Sequence, residues 1–325
     1  MSENESTNAN NSNDANEPRG FRYGVRHAVV QAPMSLIDFV SQELALETKR
    51  SELTALELIE LGSVYVDDDR TLNSAMPLKP ETRVRIHSSP RRFPVPPDLR
   101  DRIVSETADT LLVDKPAGLP VHALVDNIRD NLLSNLEELR GDHLFITHRL
   151  DVDTSGLVLF AKNREAQAKL NRAFGEGTVK RTYAAYVENS VQPGDYVHFM
   201  EPSPKAPKHV ELEARDGWSR CAMTVISCEE MTAATDLISE GYTTWKLVDS
   251  AANGLKQSPL EKMWRLEIKL QTGRPQQIRA QLTALKAPII GDVLYGSARS
   301  LIEVPSEQKA IALRAAALEI EDALK

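Results

Sequence analysis

The chain has 325 residues, of which 41% are hydrophobic and 26% are charged, an ordinary mixture for a globular protein with a small and a large domain. No apolar run approaches the roughly 18 residues of a membrane-spanning helix and the polar N-terminus is unlike a signal peptide, so we expect a cytoplasmic protein with no membrane partner. The formal net charge of -8 argues against a nonspecific polyanion binder, and the two cysteines, Cys221 and Cys228, are expected to be free thiols.

Composition marks the limits of the folded regions. Residues 1–20 are rich in Asn, Ser and Glu and carry almost no large apolar side chain, so this tail is predicted to be disordered. The prolines within residues 94–97 cannot continue a helix or a central strand, because proline lacks a backbone donor. We therefore expect a first domain over residues 21–95 and a second domain over residues 96–325.

The first domain is predicted to contain two helices followed by a short sheet. Ser35 is a candidate cap for one helix, and a second helix fits residues 51–61. Val64–Val66 is a predicted strand, and residues 83–87 alternate apolar with basic side chains as a half-buried strand does.

The second domain is predicted to begin with a strand over Thr110–Val113. The strand leads into Asp114–His122, where two prolines and a glycine indicate a shaped turn. Further on, His148–Leu157 crowds an imidazole, a guanidinium, two carboxylates and two hydroxyls in front of an apolar run that predicts a buried strand. Polar groups at the edge of a core are costly unless they bond each other or a ligand, so we expect the functional site here.

Two helices and three strands are predicted downstream. Asn163 is a candidate cap for a helix, and Lys180–Val187 alternates as a strand that places Tyr183, Ala185 and Val187 on one side. Residues 194–263 give no chemical signal beyond a strand near Thr224. Another alternating strand spans residues 264–270, turns at Gly273 and leads into a helix that ends before Pro288.

Basic side chains concentrate in two stretches, Arg83–Arg102 and Lys162–Arg181. Solvated helix and loop faces explain such stretches as well as a nucleic-acid contact does, because lysine and arginine are common on any surface. Charge alone leaves the choice open.

The motif HRLDVDTSGL at residues 148–157 resembles the HRLDxxTSGL signature of the RluA-type pseudouridine synthases. Four other segments, one before this motif and three after it, are similar to further elements of that family. They follow the same order at similar spacing: KPAGLPVH (115–122), the K-x-Y element that ends at Tyr183, TGRPQQIR (272–279) and GDVLYG (291–296). The resemblance implies an α+β fold with a large mixed, mostly antiparallel sheet flanked by helices. The first domain resembles an S4 RNA-binding module, although its ten acids and ten bases are less basic than such modules usually are.

The resemblance also implies the site residues. Asp151 becomes the catalytic carboxylate, Arg279 its ion-pair partner and Tyr183 the active-site tyrosine. Arg149 is expected to fill the gap left by an extruded nucleotide. The remaining substrate-binding candidates are His148, Thr154 and Gln276. Two positions depart from the family pattern, because Gln276 and Arg314 stand where histidines are usual.

The predicted function is isomerisation of uridine to pseudouridine in structured RNA, with ribosomal RNA favoured and transfer RNA possible. The reaction needs no cofactor and no metal, and a monomer is expected. The alternative is a catalytically silent RNA-binding protein that keeps the same fold, which the two departures and the acidic charge favour. A kinase-like loop is excluded, because no Gly-rich phosphate loop or DFG motif accompanies the His-Arg-x-Asp sequence. A purely structural role, in which Asp151, Thr154 and Ser155 cap a turn, explains this motif but not the matching downstream elements.

Overall fold

A computed structural model describes residues 24–46, 52–232, 237–240, 243–248, 262–304 and 307–320. The tail predicted to be disordered, residues 1–20, lies outside the described residues. The chain divides into two compact units. The first reaches Arg92 and also includes Leu124–Arg129, and the second comprises Phe93–Ala123 and the chain from Asp130 onward.

The elements of the first unit are β1 (Val25–Val29), β2 (Met34–Ser35), α1 (Leu36–Ala45), α2 (Ala55–Glu60), β3 (Val64–Val66), β4 (Asp69–Arg70), β5 (Pro77–Leu78) and β6 (Arg83–His87). The two helices accompany a small antiparallel sheet of order β1-β6-β3-β4, and β2 pairs with β5. Ser35 caps α1 as predicted. The predicted start of the second helix was wrong, because residues 52–54 precede the helix. Thr54 caps the helix and exchanges hydrogen bonds with Glu57 in a capping box.

Residues 124–129 belong to the first unit although they fall within the range expected for the second domain. Hydrogen bonds to residues far away in the sequence hold this segment in the first unit. The Ile128 N–H donates to the Leu61 carbonyl at 2.9 Å, and the Ser63 hydroxyl donates to the Asp126 carbonyl at 2.6 Å. The Asp126 carboxylate also accepts two hydrogen bonds from the Arg91 guanidinium, at 2.9 and 2.8 Å.

The second unit is built on one large sheet with helices α3, α4 and α5. Its elements are β7 (Ile103–Glu106), β8 (Thr110–Lys115), α3 (Leu132–Arg140), β9 (Phe145–Ile146), β10 (Ser155–Ala161), α4 (Arg164–Glu176), β11 (Lys180–Val187), β12 (Gly194–Met200), β13 (Val210–Glu211), β14 (Ser219–Thr232), β15 (Leu237–Glu240), β16 (Thr243–Val248), β17 (Lys262–Leu270), α5 (Gln277–Ala284), a 3-10 helix (Val293–Tyr295), β18 (Ser300–Val304), β19 (Lys309–Ala310) and β20 (Leu313–Glu319).

The large sheet has ten strands in the order β13-β12-β14-β17-β11-β20-β10-β8-β7, with β9 added beside β10. Every pair in it is antiparallel except β10 with β20, which run parallel. The predicted fold class, α+β with a large mixed and mostly antiparallel sheet, is therefore confirmed. A separate sheet has the order β15-β16-β18-β19.

Strand β11 differs from the one-sided strand that its alternation predicts. Residues Tyr183 to Val187 are all buried although they alternate between the two faces of the strand. Both faces of this part of β11 are therefore covered, and its two edges pair with β17 and β20. The prediction for the cysteines is confirmed, since Cys221 is buried, Cys228 is partly buried and both are free thiols. Among the described helices, none is long and apolar enough to cross a membrane.

Candidate active site

The motif at residues 148–157 forms the loop that leads into β10. Strand β10 begins at Ser155, and Gly156 follows with a φ of 110°. A Cβ at this position would lie 2.3 Å from the Ala315 carbonyl oxygen of β20. Glycine is therefore required where the two parallel strands approach each other, and this approach fixes the loop at the edge of the core.

Lys115 stabilises this loop through hydrogen bonds to backbone carbonyls. Its side chain is completely buried, and its Nζ atom donates to the carbonyls of Pro116, Leu119 and Val152 at 2.7, 2.8 and 3.0 Å. The Gly118 N–H donates to the same Val152 carbonyl at 2.9 Å. Burial lowers the pKa of Lys115 to about 7, although nearby carboxylates oppose that change. Lys115 thus connects the turn after β8 to the residue next to Asp151.

Asp151 and Arg279, which are distant in sequence, form an ion pair in the second unit. The Arg279 Nη1 atom lies 3.3 Å from Asp151 Oδ2. The Arg279 side chain is 6% exposed, and that of Asp151 is 28% exposed. The Asp151 carboxylate is therefore partly open to solvent and is ion-paired with a buried cation.

Asp292 is the second partner of Arg279 and was not predicted. Its buried carboxylate accepts from Nε at 2.7 Å and from Nη2 at 2.8 Å, so one edge of the guanidinium is fully engaged and Nη1 is left for Asp151. Burial alone would lower the pKa of Arg279, but the hydrogen bonds and charge of Asp292 raise it above its ordinary value. Asp292 lies in the GDVLYG segment, whose resemblance to the family element marked the turn but not the partner of this carboxylate.

Tyr295, in the same turn, joins Arg279 to Gln276. The Arg279 guanidinium carbon lies 4.8 Å from the centre of the Tyr295 ring. The Tyr295 hydroxyl donates to Gln276 Oε1 at 2.7 Å and accepts from the Lys208 N–H at 2.6 Å. Gln276 precedes α5 with a φ of 57°. Gln276 therefore acts here as an acceptor for a buried tyrosine, which a neutral amide can do without carrying a proton.

Tyr183 lies on β11 and is 8% exposed. Burial raises the pKa of Tyr183 to about 12. The positive charge of Arg181 lowers this pKa, and the negative charge of Asp151 raises it. The phenol is neutral at physiological pH and lies within the electrostatic range of Asp151. Tyr183 therefore contributes an aromatic ring and a neutral hydroxyl to this part of the unit.

His148 and Thr154 face inward. The His148 Nε2 atom accepts the Leu159 N–H at 3.0 Å, and the imidazole packs on Phe174 with ring centres 4.6 Å apart. Burial, aided by the charge of Arg181, lowers the pKa of His148 to about 3, so the ring is neutral. Thr154 is buried, and its hydroxyl bonds none of the described residues. His148 thus contacts other residues of the protein, and the substrate-binding roles of His148 and Thr154 stay predictions.

Arg149 is exposed beside Asp151. Its Nη1 atom lies 3.2 Å from His122 Nε2, and no carboxylate among the described residues pairs with it. Burial and the charge of Arg149 lower the pKa of His122, so the imidazole is a neutral acceptor. Arg149 is consequently available to an incoming ligand, unlike Arg279.

Arg314, the second departure from the family pattern, is buried in β20. Its Nη1 atom donates to Asp114 Oδ1 at 2.7 Å and to the Thr243 hydroxyl at 3.0 Å. The arginine therefore has a carboxylate partner of its own and leaves Asp151 undisturbed.

In the described part of the chain, no cluster of three His, Cys, Asp or Glu side chains is arranged to hold a metal.

The sequence comparisons with known proteins agree on one family. Residues 109–284 match the family model described as RNA pseudouridylate synthase. Chloroplastic RNA pseudouridine synthase 6 from Oryza sativa is 31% identical over 225 residues, which cover 68% of this chain and 46% of that protein. The chain spans about half the length of this relative and of its Arabidopsis thaliana counterpart.

A bacterial relative is covered more completely. Ribosomal large subunit pseudouridine synthase D from Xanthomonas campestris is 30% identical over 287 residues, or 85% of this chain and 76% of that protein. Among solved structures, human RNA pseudouridylate synthase domain containing 1 is similar with a TM-score of 0.48 and 20% identity, over 68% of this chain and 79% of that one.

Proposed function

The chain belongs to the RNA pseudouridylate synthase family, and from that membership we propose that it converts uridine to pseudouridine in RNA with Asp151 as the catalytic carboxylate. The contact of Asp151 with Arg279 carries the proposal. These residues are 128 positions apart in sequence, yet their side chains meet at 3.3 Å. Neither a turn nor a helix cap requires such a pair, whereas an arginine is well suited to orient a catalytic carboxylate.

The proposed reaction exchanges one bond of the nucleotide for another. The bond between C1′ and N1 breaks, the uracil rotates, and a bond between C1′ and C5 forms. A proton leaves C5 and N1 gains one, so the product is an isomer and no oxidant or second substrate is consumed. Asp151 serves either as a covalent nucleophile toward the sugar or base, or as the anion that stabilises positive charge at C1′.

The neighbouring side chains support this chemistry in distinct ways. Arg279, held by Asp292, fixes the direction of the carboxylate. The neutral Tyr183 ring is proposed to stack on the uracil, which stabilises an extruded base by about 1–3 kcal/mol. Arg149 is exposed and has no carboxylate partner among the described residues, which suits insertion into the gap that the uridine leaves.

We propose structured RNA as the substrate, with ribosomal RNA favoured over transfer RNA. The support is the Xanthomonas relative, whose name assigns it to the ribosomal large subunit and of which this chain covers 76%. The S4-like role of residues 21–95, the cytoplasmic location and the monomeric state stay predictions of the sequence.

The experiment measures loss of the C5 proton directly. Cellular RNA carrying tritium at uridine C5, taken from cells that lack this gene, is incubated with the purified protein, and the released label is counted. The wild type should release tritium and Asp151→Asn should release none, because an amide neither attacks carbon nor stabilises positive charge as a carboxylate does. Asp101→Asn is the matched control, since Asp101 is an exposed carboxylate in the same unit.

The same assay separates the enzyme from the silent RNA-binding alternative. Filter binding of the same RNA pool reports association, and tritium release reports chemistry. Binding by the wild type without any release would overturn the proposed activity and favour the alternative.

A further inference from the structure

Arg181 is a cation beside the candidate site that the proposed chemistry does not use. It lies on β11 two residues before Tyr183, so both side chains are on the same face of the strand. The side chain is partly buried, and its Nε atom is buried with no hydrogen-bond partner. No carboxylate among the described residues pairs with it.

Other arginines of the same unit behave differently. Each of five buried or half-buried guanidinium groups contacts a carboxylate: Arg102 with Asp98, Arg140 with Glu106, Arg265 with Glu240, Arg279 with Asp292 and Arg314 with Asp114. Removing a guanidinium from water without an anion is costly. Arg181 therefore differs from these five arginines, because no carboxylate of the described residues balances its charge.

The position of Arg181 connects it to the site. It pairs in register with Leu270, the last residue of β17, and its guanidinium lies against Gly273 in the turn that leads to α5 and Arg279. A Cβ at Gly273 would be 2.4 Å from Arg181 Nη1. The field of the same cation reaches the Tyr183 phenol and the His148 ring.

We propose that Arg181 binds a phosphodiester group of the substrate RNA beside the target uridine. This inference rests on the proposed function, because RNA is the anion that would reach the site. A planar guanidinium binds two phosphate oxygens at once, and the missing side chain of Gly273 leaves the space that the guanidinium occupies.

The test is RNA affinity as a function of salt, measured by filter binding of the 5-tritiated RNA pool. Arg181→Gln should weaken binding about tenfold and make the slope of log K against log salt shallower by about 0.7, the contribution of one phosphate contact to a single strand. The kcat at saturating RNA should not change, because a contact made equally in ground and transition states affects KM alone. Lys180→Gln is the matched control, since it removes the same charge from the opposite face of β11, where Lys180 faces Glu319 at 4.0 Å.

A second variant displaces the guanidinium without removing its charge. Gly273→Ala should weaken binding as Arg181→Gln does, and it should add nothing in the Arg181→Gln background. Wild-type affinity and salt slope in Arg181→Gln would overturn the inference, as would a loss of kcat with unchanged affinity. Each result leaves the proposed function intact provided that the wild type still releases tritium, whereas a wild type that releases none would fail the proposed function itself.

Discussion

Asp292→Ala is the most direct test of the way in which the site is held together. Asp292 contributes no group to the proposed reaction, and it makes the two shortest hydrogen bonds of Arg279, at 2.7 and 2.8 Å. Alanine removes both bonds and leaves a small space beside the guanidinium. Only the 3.3 Å contact with Asp151 then balances the buried charge.

The size of the effect follows from burial. Removing one partner of a buried ion pair costs about 3–5 kcal/mol, and because Asp151 remains as a second anion we expect a loss near the lower limit, about 3 kcal/mol in the free energy of unfolding. The guanidinium should shift toward Asp151 and change the direction of the carboxylate that we propose is catalytic. Misplacement of a reacting group by about 1 Å costs on the order of 100-fold in rate, so we expect kcat to fall by about that factor.

Two measurements on the same preparations check this prediction. Urea unfolding gives the change in stability, and tritium release at saturating RNA gives kcat. Asp292→Asn, which keeps one acceptor oxygen, should lie between alanine and the wild type in both assays. Asp101→Ala is the control for loss of an exposed carboxylate and should change stability by less than about 0.5 kcal/mol.

Wild-type stability together with wild-type kcat in Asp292→Ala would refute the reasoning. Such a result would mean that α5 alone orients Arg279. A loss of stability with unchanged kcat would show that Asp292 supports the fold and has no influence on the carboxylate.

Three other predictions concern buried polar groups. The pKa of Lys115 is about 7 in the folded protein and that of an unfolded lysine is about 10.4, so between these values the unfolded chain binds more protons and wild-type stability rises with pH by up to about 1.4 kcal/mol per unit; urea unfolding near pH 7.5 and 9.5 should show this rise in the wild type and its absence in Lys115→Met. His148→Leu leaves the Leu159 N–H unpaired and should lower the unfolding free energy by about 1–3 kcal/mol; an unchanged KM would show that His148 only supports the fold, and a raised KM would support its predicted role in substrate binding. Tyr295→Phe removes the acceptor of the Lys208 N–H, and thermal unfolding should show a loss of about 1–2 kcal/mol, which unchanged melting would contradict.

Local features were predictable because the groups that decide them are close in sequence. Ser35 and Asn163 each satisfy a backbone N–H three residues later, and the helices begin next to them, at Leu36 and Arg164. The same rule explains why the predicted start of the second helix was wrong. Thr54, followed three residues later by Glu57, is the cap, and the helix begins after it. Alternation located β17, and the apolar run after the motif located β10.

The motifs indicated which residues matter, and only the tertiary structure decided how they are shared. The sequence named Asp151 and Arg279 as partners, but it gave no sign that Asp292 holds two of the three engaged nitrogens of the guanidinium. Likewise, nothing near His148 showed that its acceptor would be used by the N–H of Leu159.

By itself the sequence determined the helix caps, the strand that follows the motif and the family, since each depends on patterns within a few residues or on their order along the chain. The tertiary structure decided that residues 124–129 join the first unit, that β10 runs parallel to β20, and that Arg181 lacks a carboxylate partner among the described residues. Those outcomes depend on which distant groups compete for one buried donor or acceptor. Burial makes each choice energetically decisive, and the chain's path through the sheet, which no local pattern specifies, determines which groups are in reach.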